Sequence, residues 1–473
     1  MMKSAAKAVS EIGKDFVFAP FQPIIQPIIH DVLKEHQKDK FRKGTILTPC
    51  VLVWLCFALV LRRNLNCKKV LDWLFSGFRW ESLNFTNHIV KDGTISHARL
   101  KMGVDVFRDI FNRFVSTFKD KATPDFYGLV TVMFDGVSMT TPDTKSNLER
   151  FGKHKSGRGQ SGFPQIRMVA LMMLFGRRII DLDHAPCKGK KTGERTLMFK
   201  ILKRCSETNF LYLFDAGFYS FGLAYYMAEN GLQSILKIAK SVKVKAIHGS
   251  HMADGSYLAV LKGKVVESVD SNTGRTKWEK KEIVVRVIDF CIPGFRPVRL
   301  ITSLLDPAIS AKEIVIHYHK RWDIEIAFDE LKTHQCATLT GQLPTIFRSK
   351  RDELVEQELY AMLTVYNLIR SLIKEATDEA GGDPLIISFS GTLDAIIECA
   401  PLMSTVKTDR RKKMWTFLLQ VIAKLKIDRP RRPRRNPRTV KVKMSNFNQK
   451  RAKDKSEYVN FAQDVDILLQ EAA

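Results

Sequence analysis

HYHKRWDIEIAFDELK, residues 317–332, sets Tyr318, Arg321, Glu325 and Lys332 at successive intervals of three, four and seven positions. On a helix of about 3.6 residues per turn these four fall along one stripe, while Ile316, Ile324, Ala327 and Leu331 form an apolar one. The spacing predicts one helix from about Ser310 through Lys332. Taken alone, the polar stripe reads as a solvated face with Arg321 and Glu325 as an i,i+4 ion pair, worth only ~0.2–0.5 kcal/mol. The rest of the chain decides between these readings.

Upstream, from Tyr127, the texture is that of strands. YGLVTVMFDGVSMTT (127–141), QIRMVALMMLF (165–175) and RRIIDLDHAP (177–186) are apolar runs separated by turns. GERTLMFKILKRC (193–205) reads as a helix, NFLYLFDAGFYS (209–220) as a strand, FGLAYYMAENG (221–231) as a helix and SILKIAK (234–240) as a strand. This succession predicts a mixed α/β sheet covered by helices. Two of the runs carry an Asp near their C-terminal end, followed by Gly: Asp135-Gly136 and Asp215-Ala216-Gly217. Residues 244–298 hold short strands and polar turns, a β-rich insertion that returns to the main sheet at 299–305.

The first 125 residues read as helical. Thr48 is placed to cap a helix with Pro49 at its first position, and Thr94 to cap a long amphipathic helix over 94–115. The expected division is a helical domain over 1–125, either a DNA-binding module or a plain helical bundle, the first part of the core over 126–243 and the insertion over 244–298. The second part of the core spans 299–378, and a helical C-terminal region with a basic arm spans 379–473. In that arm, RPRRPRRNPRTVKVK (429–443) has eight Lys or Arg and no acid, and its prolines exclude a regular helix.

The formal net charge is +26, from 76 Lys and Arg against 50 Asp and Glu. Such an excess suits a polyanion, because each neutralised phosphate releases condensed counterion. A membrane is excluded as the partner by length: the best apolar run, Val51 to Leu61, falls far short of the ~20 residues that span a bilayer. The N-terminus has no apolar stretch behind its lysines and does not read as a secretory signal. Eight scattered cysteines without C-x-x-C spacing point to neither a zinc site nor a disulfide framework, and fit a reducing cytoplasm.

Two strand-borne Asp and a helical Glu are what a two-metal phosphoryl-transfer site requires, since Mg²⁺ prefers hard oxygen ligands. A strand-end Asp is also a common turn former, so the chemistry needs further support. The 317–332 stretch supplies it. Tyr318-x2-Arg321-x3-Glu325-x6-Lys332 resembles the Y-R-E-K signature of bacterial DDE transposases of the insertion-sequence-four family, and VMFDGV around Asp135 and LFDAGFYS around Asp215 resemble its two other acidic motifs. The likeness runs from about 45 to 445. Ala216 departs from it, since many members carry Arg there.

The resemblance implies an α/β fold with an RNase H-like core interrupted by a β-strand insertion. It implies that Asp135, Asp215 and Glu325 hold two Mg²⁺ ions (Mn²⁺ being a substitute), while Tyr318, Arg321 and Lys332 contact phosphates at the transposon end. It also implies that Trp278, in the insertion, stacks on an extruded base; a hairpin Trp packed under its own strand is the other reading. Arg431, Arg432, Arg434, Arg435 and Arg438 in the arm are expected to bind backbone DNA. The expected activity is cut-and-paste transposition through a hairpin, by a cytoplasmic, nucleoid-associated homodimer acting on inverted-repeat ends and target DNA. The alternative is a silent DNA-binding regulator or domesticated relative, which has no need of all three carboxylates. G157-R-G-Q-S-G162 lacks the strand before and helix after that a dinucleotide fingerprint requires, and reads as a mobile basic loop.

Overall fold

The computed structural model describes residues 19–41, 45, 47–76, 90–156, 159–269, 276–292, 296–335, 346–427, 434–435, 457–458 and 461–468. Among them, helices α1 (Gln22–Glu35), α2 (Pro49–Leu61), α3 (Cys67–Leu74), α4 (Asp92–Met102) and α5 (Asp105–Lys119) come first. Strand β1 (Val130–Thr140), helix α6 (Lys145–Phe151), the short β2 (Lys155–Ser156) and β3 (Gly159–Gln160), then β4 (Gln165–Met173) and β5 (Ile179–Pro186) follow. Next are α7 (Glu194–Arg204), β6 (Phe210–Phe214), α8 (Phe221–Glu229), β7 (Gln233–Ile238), β8 (Lys245–His251), β9 (Tyr257–Val269), β10 (Thr276–Cys291) and β11 (Val298–Thr302). After β11 come the helices α9 (Ala311–His319), α10 (Asp323–Asp329), α11 (Asp352–Ala380), α12 (Phe389–Thr405) and α13 (Thr408–Lys424).

These elements form two compact units. One draws on Met1–Asp125, Val132–Ser206 and Asp323–Lys426, the other on Phe126–Thr131, Glu207–Trp322 and Ile427–Ala473.

In the first unit, α2 starts as its sequence dictates. Thr48 Oγ1 accepts a hydrogen bond from the Val51 amide at 3.3 Å, and Pro49 occupies the first turn, where its missing N–H costs nothing. Every residue from Cys50 to Leu61 is buried, so α2 is a core helix. It packs on α11, which also meets α5, α12 and α13. The N-terminal helices therefore share one core with the C-terminal ones. Ion pairs tie that core together: Glu358, on α11, is buried beside Arg63 and accepts from the Arg348 and Ser349 amides at 3.1 and 3.0 Å. Burial pushes the Glu358 carboxyl up, but Arg63 and Arg99 outweigh it and hold the group below its ordinary range. Strands β1, β4 and β5 form an antiparallel meander covered by α7.

The second unit has β6 and β7 parallel, then β11, β10, β9 and β8 added antiparallel. The chain leaves after β7, builds β8–β10 and returns at β11 beside β7. The α/β fold is an RNase H-like core, mostly antiparallel, interrupted by a β insertion and flanked by helical regions.

Three local expectations are corrected. The helix over 94–115 is two, α4 and α5, because Gly103 at φ +83° ends the first in a conformation that L side chains rarely adopt; Lys91, not Thr94, is the N-cap. Lys155–Ser156 pairs with Gly159–Gln160, so the segment is not loop throughout. The segment 311–334 is not one regular helix: α9 is followed by a 3₁₀ turn at Lys320–Trp322, α10, and a π turn at Glu330–His334. A stripe spaced for a uniform α-helical turn does not run its length. No described helix is long and apolar enough to cross a membrane.

Candidate active site

Burying an unpaired carboxylate is expensive, and both Asp residues stand where a buried strand opens. The residues of β1 from Val130 to Phe134 are buried, and Asp135 is the first position partly open to solvent. Asp135 is nevertheless mid-strand rather than at the strand end, because β1 continues in register with β4 (Asp135 opposite Ala170) as far as Thr140. Its Oδ1 accepts from the Gly136 amide at 2.8 Å. All of β6 is buried, and Asp215 follows it directly in a turn closed by the Phe218 amide donating to the Asp215 carbonyl at 3.0 Å. The Asp215 side chain is 41% exposed. Glu325 lies in the first turn of α10 and is exposed.

Around Asp215 the structure assembles two residues of the 317–332 signature. Tyr318, only 7% exposed, donates its hydroxyl to the carbonyl of Phe214, the last residue of β6, at 3.0 Å. Burial raises its pKa, so the hydroxyl keeps its proton. Arg321, 5% exposed, brings Nη2 to 4.0 Å from Asp215 Oδ1 and lies over the Trp322 ring. A phosphate contact by the Tyr318 hydroxyl would require breaking its bond to β6. In this structure Tyr318 and Arg321 brace the end of the strand that presents Asp215.

His317 is buried, 2.7 Å from Thr131 Oγ1 and stacked on Phe126. Burial, with help from Lys320, lowers its pKa to about 3. The unfolded chain therefore takes up a proton below about pH 6.5 that the folded chain refuses until about pH 3. Stability from this neutral His is complete above that window and is lost as pH falls through it, by at most about 1.4 kcal/mol per pH unit. Acid denaturation of wild type and His317→Gln checks this: wild type is expected to lose stability more steeply, and equal slopes would refute the assignment.

The helix bearing Glu325 is gripped from below. Arg177, in the β4–β5 turn and 1% exposed, donates Nε to Asp323 Oδ1 at 2.8 Å and reaches Glu330 Oε1 at 3.4 Å, one at each end of α10. Glu330 also pairs with Arg370 and accepts from the Tyr366 hydroxyl at 3.2 Å. Lys332, in the π turn, is half-buried.

Sequence reasoning missed Arg177 and also Glu194. Glu194 opens α7 and lays its carboxylate against Gly136, where a Cβ would lie 2.5 Å from Glu194 Cδ. The Gly after Asp135 was the available signal. Trp278 is 56% exposed on β10, beside an irregularity at Lys277/Trp278; it does not pack under its own strand. Arg434 and Arg435 form a two-residue pairing with Glu457–Tyr458, whereas Arg431, Arg432 and Arg438 lie outside the described residues.

Among the described residues no three His, Cys, Asp or Glu side chains stand together as a ready-made metal site. The donor chemistry of Asp135, Asp215 and Glu325 nonetheless fits a hard divalent cation: carboxylate oxygens only, each side chain at least partly open to solvent.

The solved piggyBac transposase synaptic complex with hairpin DNA aligns over 87% of this chain and 85% of that one, at 12% identity and a TM-score of 0.42. Transposase InsG for insertion sequence element IS4, from Escherichia coli (strain K12), is 27% identical over 402 residues, covering 83% of this chain and 84% of that protein. Residues 21–112 match the family described as Insertion element 4 transposase N-terminal, and residues 127–368, just over half the chain, match Transposase DDE domain. This chain belongs to the DDE transposases of the insertion-sequence-four family, enzymes of DNA transposition.

Proposed function

We propose that the chain performs cut-and-paste transposition of its own insertion sequence, with Asp135, Asp215 and Glu325 holding two divalent ions, Mg²⁺ or in its place Mn²⁺. The supporting observation is that each carboxylate stands at the rim of a buried element, two of them where apolar strands first meet solvent. When bound, such ions activate the attacking water or 3′-hydroxyl and stabilise the leaving oxygen.

The chain's own residues set the stage for that chemistry. Tyr318 and Arg321 fix the backbone and charge around Asp215, and Arg177 fixes the helix that presents Glu325. Arg321 and Lys332 are the cations of the signature for phosphates at the transposon end, Arg as a fork and Lys as a point charge; Tyr318 joins them if its hydroxyl is released from β6. Trp278 offers an open indole for an extruded base. The arginines at 431, 432, 434, 435 and 438 supply backbone affinity.

Water first cleaves each end to free a 3′-hydroxyl. That hydroxyl attacks the opposite strand to give a hairpin, which water reopens before strand transfer into target DNA. Two copies of the chain hold two inverted-repeat ends in the bacterial cytoplasm, on the nucleoid. A marked element bounded by its inverted repeats tests the reading. Excision and reinsertion that depend on this chain and on divalent metal are expected; a chain that binds the ends but leaves the element in place would establish the silent regulator instead.

A further inference from the structure

The ribbon of β9 and β10 has one covered face and one open one. On the covered face Gly263 meets Phe221 of α8, and a Cβ at 263 would lie 2.1 Å from the ring, so α8 closes that side. The open face, one residue out of phase, sets Lys262, Lys264 and Val266 opposite Glu282, Lys280 and Trp278. Lys262 and Glu282 neutralise each other at 2.7 Å. Lys264 and Lys280 do the reverse. They are exposed like charges directly across a strand pair, where Cβ atoms lie about 4.5–5.5 Å apart and repulsion costs stability.

The charge continues beyond the ribbon. A groove of about 510 Å³ is lined by Lys262, Gly263, Lys264, Lys280, Lys281 and Glu282. A second, of about 680 Å³, runs from Lys262 past Lys245 to Lys240 and Lys243 in the β7–β8 connection. Among the described residues, Lys240, Lys243, Lys264 and Lys280 have no carboxylate partner, whereas Lys277 and Lys281 are paired with Glu267 and Glu279. Two adjoining grooves in which these four unpaired ammonium groups stand among paired ones suit a curved polyanionic backbone better than a flat lipid surface. Exposed Val266 and Trp278 close one end of this face.

We propose that this face is a docking track for the DNA phosphodiester backbone, with Lys264 and Lys280 straddling one phosphate and Lys240 and Lys243 holding others further along. The track rests on the transposase reading only in naming DNA as the polyanion. It reads backbone and not sequence, because lysines on phosphates carry position rather than base identity. A bound phosphate also relieves the Lys264–Lys280 repulsion.

The test uses the full chain and a short duplex of unrelated sequence, with affinity followed against salt. Replacing Lys240, Lys243, Lys264 and Lys280 together by alanine is expected to flatten the slope of log affinity against log salt by about 3 to 4 and to weaken binding by ~10-fold or more at moderate salt. Lys277→Ala with Lys281→Ala is expected to change neither. Lys264→Ala alone is expected to melt no lower than wild type, since it removes a repulsion. An unchanged slope in the fourfold variant overturns the track, as does a loss confined to phosphatidylserine vesicles while duplex binding stays at the wild-type level. If the track fails while Glu325→Gln still abolishes cleavage, the transposase reading stands without it. If Glu325→Gln cleaves normally, that reading fails whatever the slope does.

Discussion

Asp135→Asn, Asp215→Asn and Glu325→Gln are each expected to lower strand cleavage at the transposon end by on the order of 10³-fold or more, with little change in melting temperature or duplex affinity. Each substitution keeps the side chain's shape and removes its charge and one acceptor oxygen, which is what a metal ligand cannot spare. The fold loses little, because Glu325 is exposed, Asp215 is 41% exposed and Asp135 is only partly covered, and substitutions at such positions usually stay within about 0.5 kcal/mol. Cleavage kinetics on an end-bearing duplex, with melting curves on the same samples, separate the two effects. A variant that folds and cleaves within a few-fold of wild type would remove that residue from the set. The three should also fail to add: residues acting as one unit cost about as much singly as together.

Arg177→Ala is expected to have the largest effect on stability, about 3–5 kcal/mol. Arg177 is almost fully buried and faces Asp323 and Glu330, so its removal strands Asp323 without its cation and leaves Glu330 to Arg370 alone. The consequence for activity is separate. Asp323 and Glu330 flank α10, and a shift of about 1 Å in a catalytic group costs ~10²-fold. Arg177→Lys is expected to rescue only part of either loss, because a point charge cannot reach both carboxylates as a guanidinium fork does. Chemical denaturation of the two variants, with cleavage measured where both remain folded, is the check. Wild-type cleavage by a destabilised Arg177→Ala would leave the residue a purely structural role.

Much of this was legible locally, and the failures share a cause. The start of α2 was readable because Thr48 and Pro49 act within one turn of themselves. The strands β1 and β6 were readable because burial on both faces demands continuous apolar runs, and their Asp residues stood out by interrupting those runs. Asp135 was placed at a strand end because Gly136 suggests a turn, whereas pairing with β4 carries the strand onward to Thr140. The break of 311–334 into α, 3₁₀, α and π pieces has no local cue. One piece is fixed by Arg177 and Arg370, residues far away in sequence that meet Asp323 and Glu330 only after folding. Tyr318 shows the same limit: spacing could group it with Arg321, but its burial against the end of β6 follows from packing. The Lys264–Lys280 opposition depends on strand register, which is set only when β9 pairs with β10.

The most direct test of the central claim changes the ligand and asks the metal. A thiolate suits Mn²⁺ better than Mg²⁺, which demands hard oxygen. Asp135→Cys is therefore expected to be inactive in end cleavage with Mg²⁺ and to recover a measurable share of activity with Mn²⁺, while wild type cleaves with either. Equal activity of the variant in both metals, or wild-type cleavage that persists when divalent ions are chelated, would contradict the assignment of Asp135 as a metal ligand.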